Sequence, residues 1–387
     1  MKNATPLLYV DTPERLRHFC DSLQGARWLA LDTEFLREKT FFPKFCLLQI
    51  ASENGVGCID PLKLESLHPL FEIIYDPAIT KVFHAGRQDM EIFYHLCGRL
   101  PAPVFDTQIA APLLGFAEQI SYAGLVSELL GVNLNKAHAR TDWTRRPLSP
   151  EQLRYAADDV IYLAAIYQKL LARLDQLGRL DWLEGDFAEL TDPVLYENPA
   201  ELAWRRVSGA HQLKGSQLAV LQALAAWREQ TARGKDLPRG WLLKDEAIFD
   251  LARQQPTRAE ELRAVRGIDD RFVKTHGLIV CQLIQEARSR APMPVELKPR
   301  PARKTAEQEA VLDVLMAVVR LRAAQNTLNP AILASRKDLE QLMDQAEDAK
   351  LLQGWRKKMA GEELAAVLGG EVSLTIAGGS LLVCPHA

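Results

Sequence analysis

The stretch Trp28-Leu29-Ala30-Leu31-Asp32-Thr33-Glu34-Phe35 is an apolar run that ends in two carboxylates two positions apart. Its length and its flanks predict a buried strand. Residues i and i+2 of a strand face the same side, so Asp32 and Glu34 project together into one place. Two like charges held side by side favour a divalent cation between them, because hard cations such as Mg²⁺ and Mn²⁺ are bound by carboxylate oxygens. Taken alone, the pair is weak evidence, since the acidic edge of a solvated strand gives the same letters in many proteins.

Outward from this strand, short β-branched or aromatic runs alternate with amphipathic helical stretches over the first 180 or so residues, the pattern of an α/β domain. Strands are expected at 7–10, 28–35, 45–51, 57–60, 81–85 and 104–106. Three of them follow one another before strands and helices begin to alternate, which predicts a mixed sheet with an antiparallel part. Thr12-Pro13 offers an N-cap and a proline at the first helical position, ahead of the apolar face Leu16, Phe19, Cys20 and Leu23.

Two further stretches carry carboxylates. In Val82-Phe83-His84-Ala85-Gly86-Arg87-Gln88-Asp89 a strand runs through a glycine turn into a helix, which places Asp89 in the first helical turn. There it can join a metal site or simply complement the helix dipole. In Tyr155-Ala-Ala-Asp158-Asp159, on a helix expected to start at Pro150 with Ser149 as its cap, Tyr155 and Asp159 are four apart and share a face. Asp158 lies four after Arg154 and reads as its surface ion-pair partner, so Asp159 is the candidate ligand.

The set Asp32, Glu34, Asp89, Tyr155 and Asp159 resembles the three motifs of the DEDD superfamily of 3′-to-5′ exonucleases, in its tyrosine-containing branch. The stretches 105–111 (FDTQIAA) and 136–155 (KAHARTDWTRRPLSPEQLRY) are similar to the ribonuclease D family in particular. The resemblance implies a ribonuclease-H-like mixed sheet with flanking helices, followed by two small all-α HRDC-like domains. The implied activity is exoribonucleolytic trimming of precursor tRNA and other small structured RNAs, with release of nucleoside 5′-monophosphates. It further implies two metal ions, Mg²⁺ or Mn²⁺. Asp32 bridges them, Glu34 and Asp159 complete one shell, Asp89 acts through water on the other, and Tyr155 orients the attacking water. Weaker expectations place Thr33, Phe35, His84, Arg140, Trp143 and Arg146 at the substrate.

Behind residue 195 strand signals almost vanish. Helical patterns at 216–231, 245–254, 258–265 and 270–290 are followed by the proline-rich, basic stretch 291–304, and a similar order of elements begins again at 307. The expected domains are therefore 1–195 (exonuclease), 208–290 (first HRDC-like), 291–304 (linker) and 305–387 (second HRDC-like).

The net charge of −3 hides a segregation. Residues 1–200 hold 19 Lys and Arg against 27 Asp and Glu, whereas 201–300 hold 18 against 12. An acidic head before a basic middle suits a metal-binding catalytic domain joined to one that meets phosphate. In the basic helical region Lys214, Arg228, Arg233, Lys235, Arg239 and Trp241 are candidates for backbone contact and stacking. The six cysteines are scattered without metal-ligand spacing, which predicts free thiols. No apolar run approaches the ~20 residues of a membrane span, and residues 1–16 lack a signal-peptide core. A cytoplasmic monomer acting on RNA with a single-stranded 3′ end is expected. A DNA exonuclease and a catalytically idle nucleic-acid-binding platform are the rivals, since neither carboxylates nor fold distinguish the sugar.

Overall fold

The computed structural model describes residues 7–134, 141–294, 304–346 and 348–385. Six strands, β1 (Leu7–Val10), β2 (Trp28–Leu36), β3 (Lys44–Ala51), β4 (Val56–Ile59), β5 (Thr80–Phe83) and β6 (Val104–Asp106), form one sheet in the order β1-β4-β3-β2-β5-β6. β2, β3 and β4 pair antiparallel; β1 with β4, β2 with β5 and β5 with β6 pair parallel. The sheet is mixed, as the run of three successive strands implied.

Alternation along β2 separates two cores. Leu29 and Leu31 pack with α1 (Pro13–Ser22), α2 (His68–Ile74) and α3 (Arg87–Cys97) on one face. Trp28 and Ala30 pack on the other face, beneath the long helix α6 (Pro150–Gln176). Between these lie the short helix α4 (Thr107–Ala110) and α5 (Tyr122–Leu130). Helix α6 starts where its letters place it. Ser149 accepts from the Gln152 amide, the Gln152 side chain accepts from the Ser149 amide, and Pro150 occupies the first turn. The start of α1 is likewise capped by Thr12, which accepts from the Arg15 amide at 3.3 Å.

Gly86 has to be glycine. A Cβ there would lie 2.5 Å from the Phe83 Cβ, so the turn from β5 into α3 closes only without a side chain.

Helix α7 (Glu184–Leu190) leads into a helical unit with its own core, built from α8 (Gly215–Gly234), α9 (Arg239–Leu242), α10 (Asp245–Gln254), α11 (Ala259–Leu262) and α12 (Asp270–Arg288). Leu218, Leu221, Leu224 and Ala225, spaced along one face of α8, are buried in it. A second helical stretch follows, α13 (Ala306–Gln325), α14 (Pro330–Leu333), α15 (Arg336–Met343) and a helix at Glu362–Gly369, ending in a hairpin of Val372–Ala377 and Ser380–Pro385. Most of the linker, residues 295–303, lies outside the described residues.

The last stretch does not stand apart. Leu312, Leu315, Val318 and Val319 of α13 belong to the same hydrophobic cluster as α6. The Arg179 guanidinium donates to the Leu113 and Asn326 carbonyls, each at 2.6 Å, and Trp182 stacks on Trp355 at 4.5 Å. The cysteines are free thiols, and no described helix is long and apolar enough to cross a membrane.

Candidate active site

At the C-terminal end of β2, Asp32 and Glu34 face α6, which presents Asp159 one turn beyond Tyr155. One carboxylate oxygen from each of Asp32, Glu34 and Asp159 lies within 4.8 Å of the others. Arg154 Nε pairs with Asp158 Oδ1 at 2.9 Å, whereas Asp159 joins the carboxylate trio. The Tyr122 hydroxyl donates to the Asp159 main-chain carbonyl and ties α5 to α6 at this level.

Asp89 is not within that trio. Thr33, on the opposite face of β2, donates its hydroxyl to Asp89 Oδ1 at 2.5 Å, and both residues are buried. Asp89 is held there by a fixed turn. The Asp106 carboxylate, 1% exposed, accepts from the Ala85 and Gly86 amides at 3.1 and 2.8 Å and from the Gln108 amide at 2.8 Å. One carboxylate thus ties the β5–α3 turn to the N-terminus of α4.

Ionisation of these clustered carboxyls is costly. Burial pushes the Asp32 carboxyl up to about 6. Burial, then the charges of Asp32, Asp159 and Asp89, push Glu34 to about 9. Burial, then Asp32 and Asp158, push Asp159 to about 8. Asp89 also rises, through burial and Asp32, despite the Thr33 hydrogen bond. Left to themselves Glu34 and Asp159 hold protons at neutral pH, while Asp32 is mostly ionised; divalent cations can take the place of those protons. Gln49 adds a second sign. It sits opposite Asp32 on β3, fully buried, and neither amide atom has a hydrogen-bond partner among the described residues. An orphaned amide beside an acidic cluster suits a site whose polar contacts are completed by what it binds. An all-oxygen carboxylate donor set fits Mg²⁺ or Mn²⁺.

The weaker expectations separate. Phe35 is half-buried against the α3 side of the sheet. His84 has both ring nitrogens engaged, Nδ1 with Thr107 Oγ1 at 2.9 Å and Nε2 with the Ile120 carbonyl at 3.1 Å, so it braces the turn. Trp143 is 4% exposed and lies against Tyr155, ring centroids 6.4 Å apart at 27°; it backs the tyrosine instead of meeting solvent. Arg146 was expected at phosphate, but its guanidinium grips the fully buried Asp60 at 2.5 and 2.8 Å and donates to the Cys46 and Trp143 carbonyls at 2.7 Å. Its charge is already consumed inside the fold. Arg228 is likewise internal, on Asp245 and the Leu243 carbonyl. Arg140 lies outside the described residues. Beside Tyr155 and Asp159 a cleft of about 710 Å³ opens, lined also by Tyr122, Arg154 and Pro150.

Fold and carboxylate cluster together define a 3′–5′ exonuclease domain. Residues 7–175 match the family described as 3′-5′ exonuclease, and residues 217–284 match the HRDC domain. Ribonuclease D of Acidiphilium cryptum is 41% identical over 379 residues, covering 95% of each chain, and that of Granulibacter bethesdensis is 38% identical over 94% of this chain and 93% of its own. The crystal structure of Escherichia coli ribonuclease D, described as an exoribonuclease involved in structured RNA processing, superposes with a TM-score of 0.76 at 32% identity, over 94% of this chain and 99% of that one. The chain belongs to the ribonuclease D family, and its activity is that of a 3′-to-5′ exoribonuclease.

Proposed function

We propose that the chain shortens RNA one nucleotide at a time at the Asp32–Glu34–Asp159 cluster, releasing nucleoside 5′-monophosphates. Its proposed substrates are precursor tRNA and other small structured RNAs with single-stranded 3′ tails. The observation that carries this reading is the meeting of three carboxylates within 4.8 Å at a depth where ionisation is costly.

Two ions, Mg²⁺ or Mn²⁺, suit this donor set. Asp32, Glu34 and Asp159 are the residues to hold one, and Asp32 and Asp89 the other. Bound there, the ions would neutralise charge on the attacking and leaving oxygens and lower the pKa of water. The protein's own part is placement. The Tyr155 hydroxyl is pushed up to about 12 by burial and by the charges of Asp159, Glu34 and Asp32. It stays protonated at neutral pH, which suits orienting a water and not removing its proton. Trp143 limits the motion of that ring, while Thr33 keeps Asp89 turned toward β2. Phe35 offers a surface for the terminal base.

The same reading divides the chain into an exonuclease domain (1–195), a first HRDC-like domain (208–290), a linker (291–304) and a second HRDC-like domain (305–387). The succession of α13, α14 and α15, which parallels that of α8, α9 and α10, supports the second.

The test is digestion of matched 3′-extended RNA and DNA oligonucleotides with and without Mg²⁺ or Mn²⁺, alongside Asp32→Asn. Stepwise, metal-dependent release of 5′-monophosphates from RNA, lost in the variant, is expected. Faster digestion of DNA would move the reading to a DNA enzyme, and binding without cleavage would leave only a platform.

A further inference from the structure

The outward face of α3 is not bare. Residues 87, 88, 91, 94 and 95 line two adjoining hollows of about 470 and 440 Å³ between the exonuclease domain and the first helical unit. The wall opposite α3 comes from the helical unit, with Arg206, Arg233 and Arg239, and from the β2–β3 loop, with Arg37, Phe41 and Phe42. The seam is built, not incidental. Asp236 of the helical unit accepts from the Phe41 and Phe42 amides at 3.0 and 3.1 Å, and the Arg239 guanidinium lies over the Phe41 ring at 4.4 Å. Phe42 in turn stacks on His95.

Its charge is unbalanced. Five guanidiniums, those of Arg37, Arg87, Arg206, Arg233 and Arg239, face the seam, against the four carboxylates of Glu91, Glu197, Glu229 and Asp236. Glu229, 1% exposed, lies beneath and is shared by Arg206, Arg233 and Arg239. Arg37 is paired with Glu91, but Arg87 is exposed and has no ion-pair partner among the described residues. Arg87 and Gln88 open the seam, and they immediately precede Asp89. From Arg87 to His95 the helix rises about 12 Å, enough for about three stacked nucleotides at about 3.4 Å each.

We infer that this arginine- and aromatic-lined seam is a binding site for the single-stranded RNA segment just 5′ of the scissile bond. It rests on the exoribonuclease reading above. Guanidiniums meet successive phosphates and the rings offer stacking surfaces without sequence preference. Because one wall belongs to each domain, the site also ties the first helical unit to catalysis. It predicts that tails too short to reach the seam are poor substrates.

Steady-state digestion of an RNA dinucleotide and of a single-stranded RNA decamer by the full chain, Arg87→Gln and Phe41→Ser tests it. Arg87 is exposed and makes no ion pair among the described residues, so its replacement spares the fold. The expected result is a KM for the decamer raised about five- to tenfold in each variant with kcat held. For Arg87→Gln the slope of log affinity against log salt falls by about 0.7, the share of one phosphate. The dinucleotide constants stay put. Unchanged decamer constants in both variants overturn the inference, as does equal loss on both lengths, which would put these residues at the hydrolytic centre. If the wild-type enzyme fails on both RNAs, the exoribonuclease reading fails instead. Seating of a protein segment there predicts a decamer KM indifferent to both replacements.

Discussion

Removing the metal should reverse the sign of this enzyme's pH dependence of stability. Glu34, Asp159 and Asp32 are shifted upward from 4.5, 3.8 and 3.8 to about 9, 8 and 6. In metal-free protein each is protonated when folded and ionised when unfolded over the intervening range. Folded-state pKa values above the unfolded ones mean stability that is fully present below about pH 4 and lost as pH rises through the folded values. One such group contributes about 1.4 kcal/mol per pH unit. The three do not add, because each shift already contains the others' charges. Counting one group between about pH 5 and pH 7, and halving it for water reaching a cleft-side carboxylate, leaves about 1.5 kcal/mol. For a domain of this size that lowers the melting temperature by about 3–6 °C. With Mg²⁺ present the trend should flatten or invert, since the cation binds only the ionised carboxylates and stabilises the fold that holds it. The assay is thermal melting across that pH range in chelator and in excess Mg²⁺, with Glu34→Gln as the control. Glu34→Gln should raise the metal-free melting temperature near neutral pH while abolishing hydrolysis. A chelated protein whose melting temperature is flat or rises with pH, and does not respond to Glu34→Gln, would refute the reasoning.

Other substitutions separate chemistry from framework. Asp159→Asn should lower kcat on RNA at least about a thousandfold with the melting temperature kept or raised, as read by single-turnover hydrolysis and calorimetry. Tyr155→Phe should cost about a hundredfold in kcat with little change in KM, because only the orienting hydroxyl is lost. Arg146→Ala leaves Asp60 buried without its partner and should destabilise the fold by about 3–5 kcal/mol in denaturant titration; the KM of the remaining folded enzyme should hold. Gly86→Ala forces a Cβ onto Phe83 and should lower both stability, by about 1–3 kcal/mol, and metal affinity, measured by isothermal titration, through displacement of Asp89.

Local chemistry was legible where the chain itself contains the rule. Ser149-Pro150 with Gln152, and Thr12-Pro13, are complete helix starts in their letters, and both form where expected. The i, i+2 carboxylates of β2 and the i, i+4 pair of α6 are also local, and topology needed only to bring strand and helix together. Arg146 shows the limit. A basic residue in a polar loop reads as exposed, and only the fold shows that Asp60, 86 positions earlier, awaits it in the interior with Tyr9 as its other partner. Trp143 fails for the same reason, since its ring lies beneath α6 against Tyr155. Tyr122 had no local signal at all: its hydroxyl serves a carbonyl 37 residues away. Asp106 had one. It directly precedes Thr107 at the start of α4 and is a helix cap by its letters, but its second task, holding the β5–α3 turn, depends on a strand pairing that spacing does not reveal.

The same alternation that made Asp32 and Glu34 legible explains why Asp89 stands apart. A strand that turns Asp32 and Glu34 toward α6 must turn Thr33 toward α3, so a ligand borne on α3 approaches from the other layer of the domain. Thr33 bridges that gap: its hydroxyl holds Asp89 at the strand end, close enough for Asp32's charge to raise the Asp89 carboxyl. The acidic centre is therefore assembled from both faces of one strand, just beyond its last pairing with β5 at Ala30 and while it still pairs with β3. This end of β2 also carries an irregularity in its pairing with β3, between Glu34 and Phe35. Such a bulge re-aims side chains at a strand terminus, and it occurs where the acidic pair gives way to the loop that reaches the helical unit. One strand end thus serves two tasks: it concentrates charge inward for hydrolysis and carries Arg37, Phe41 and Phe42 outward to the seam through which substrate is inferred to arrive.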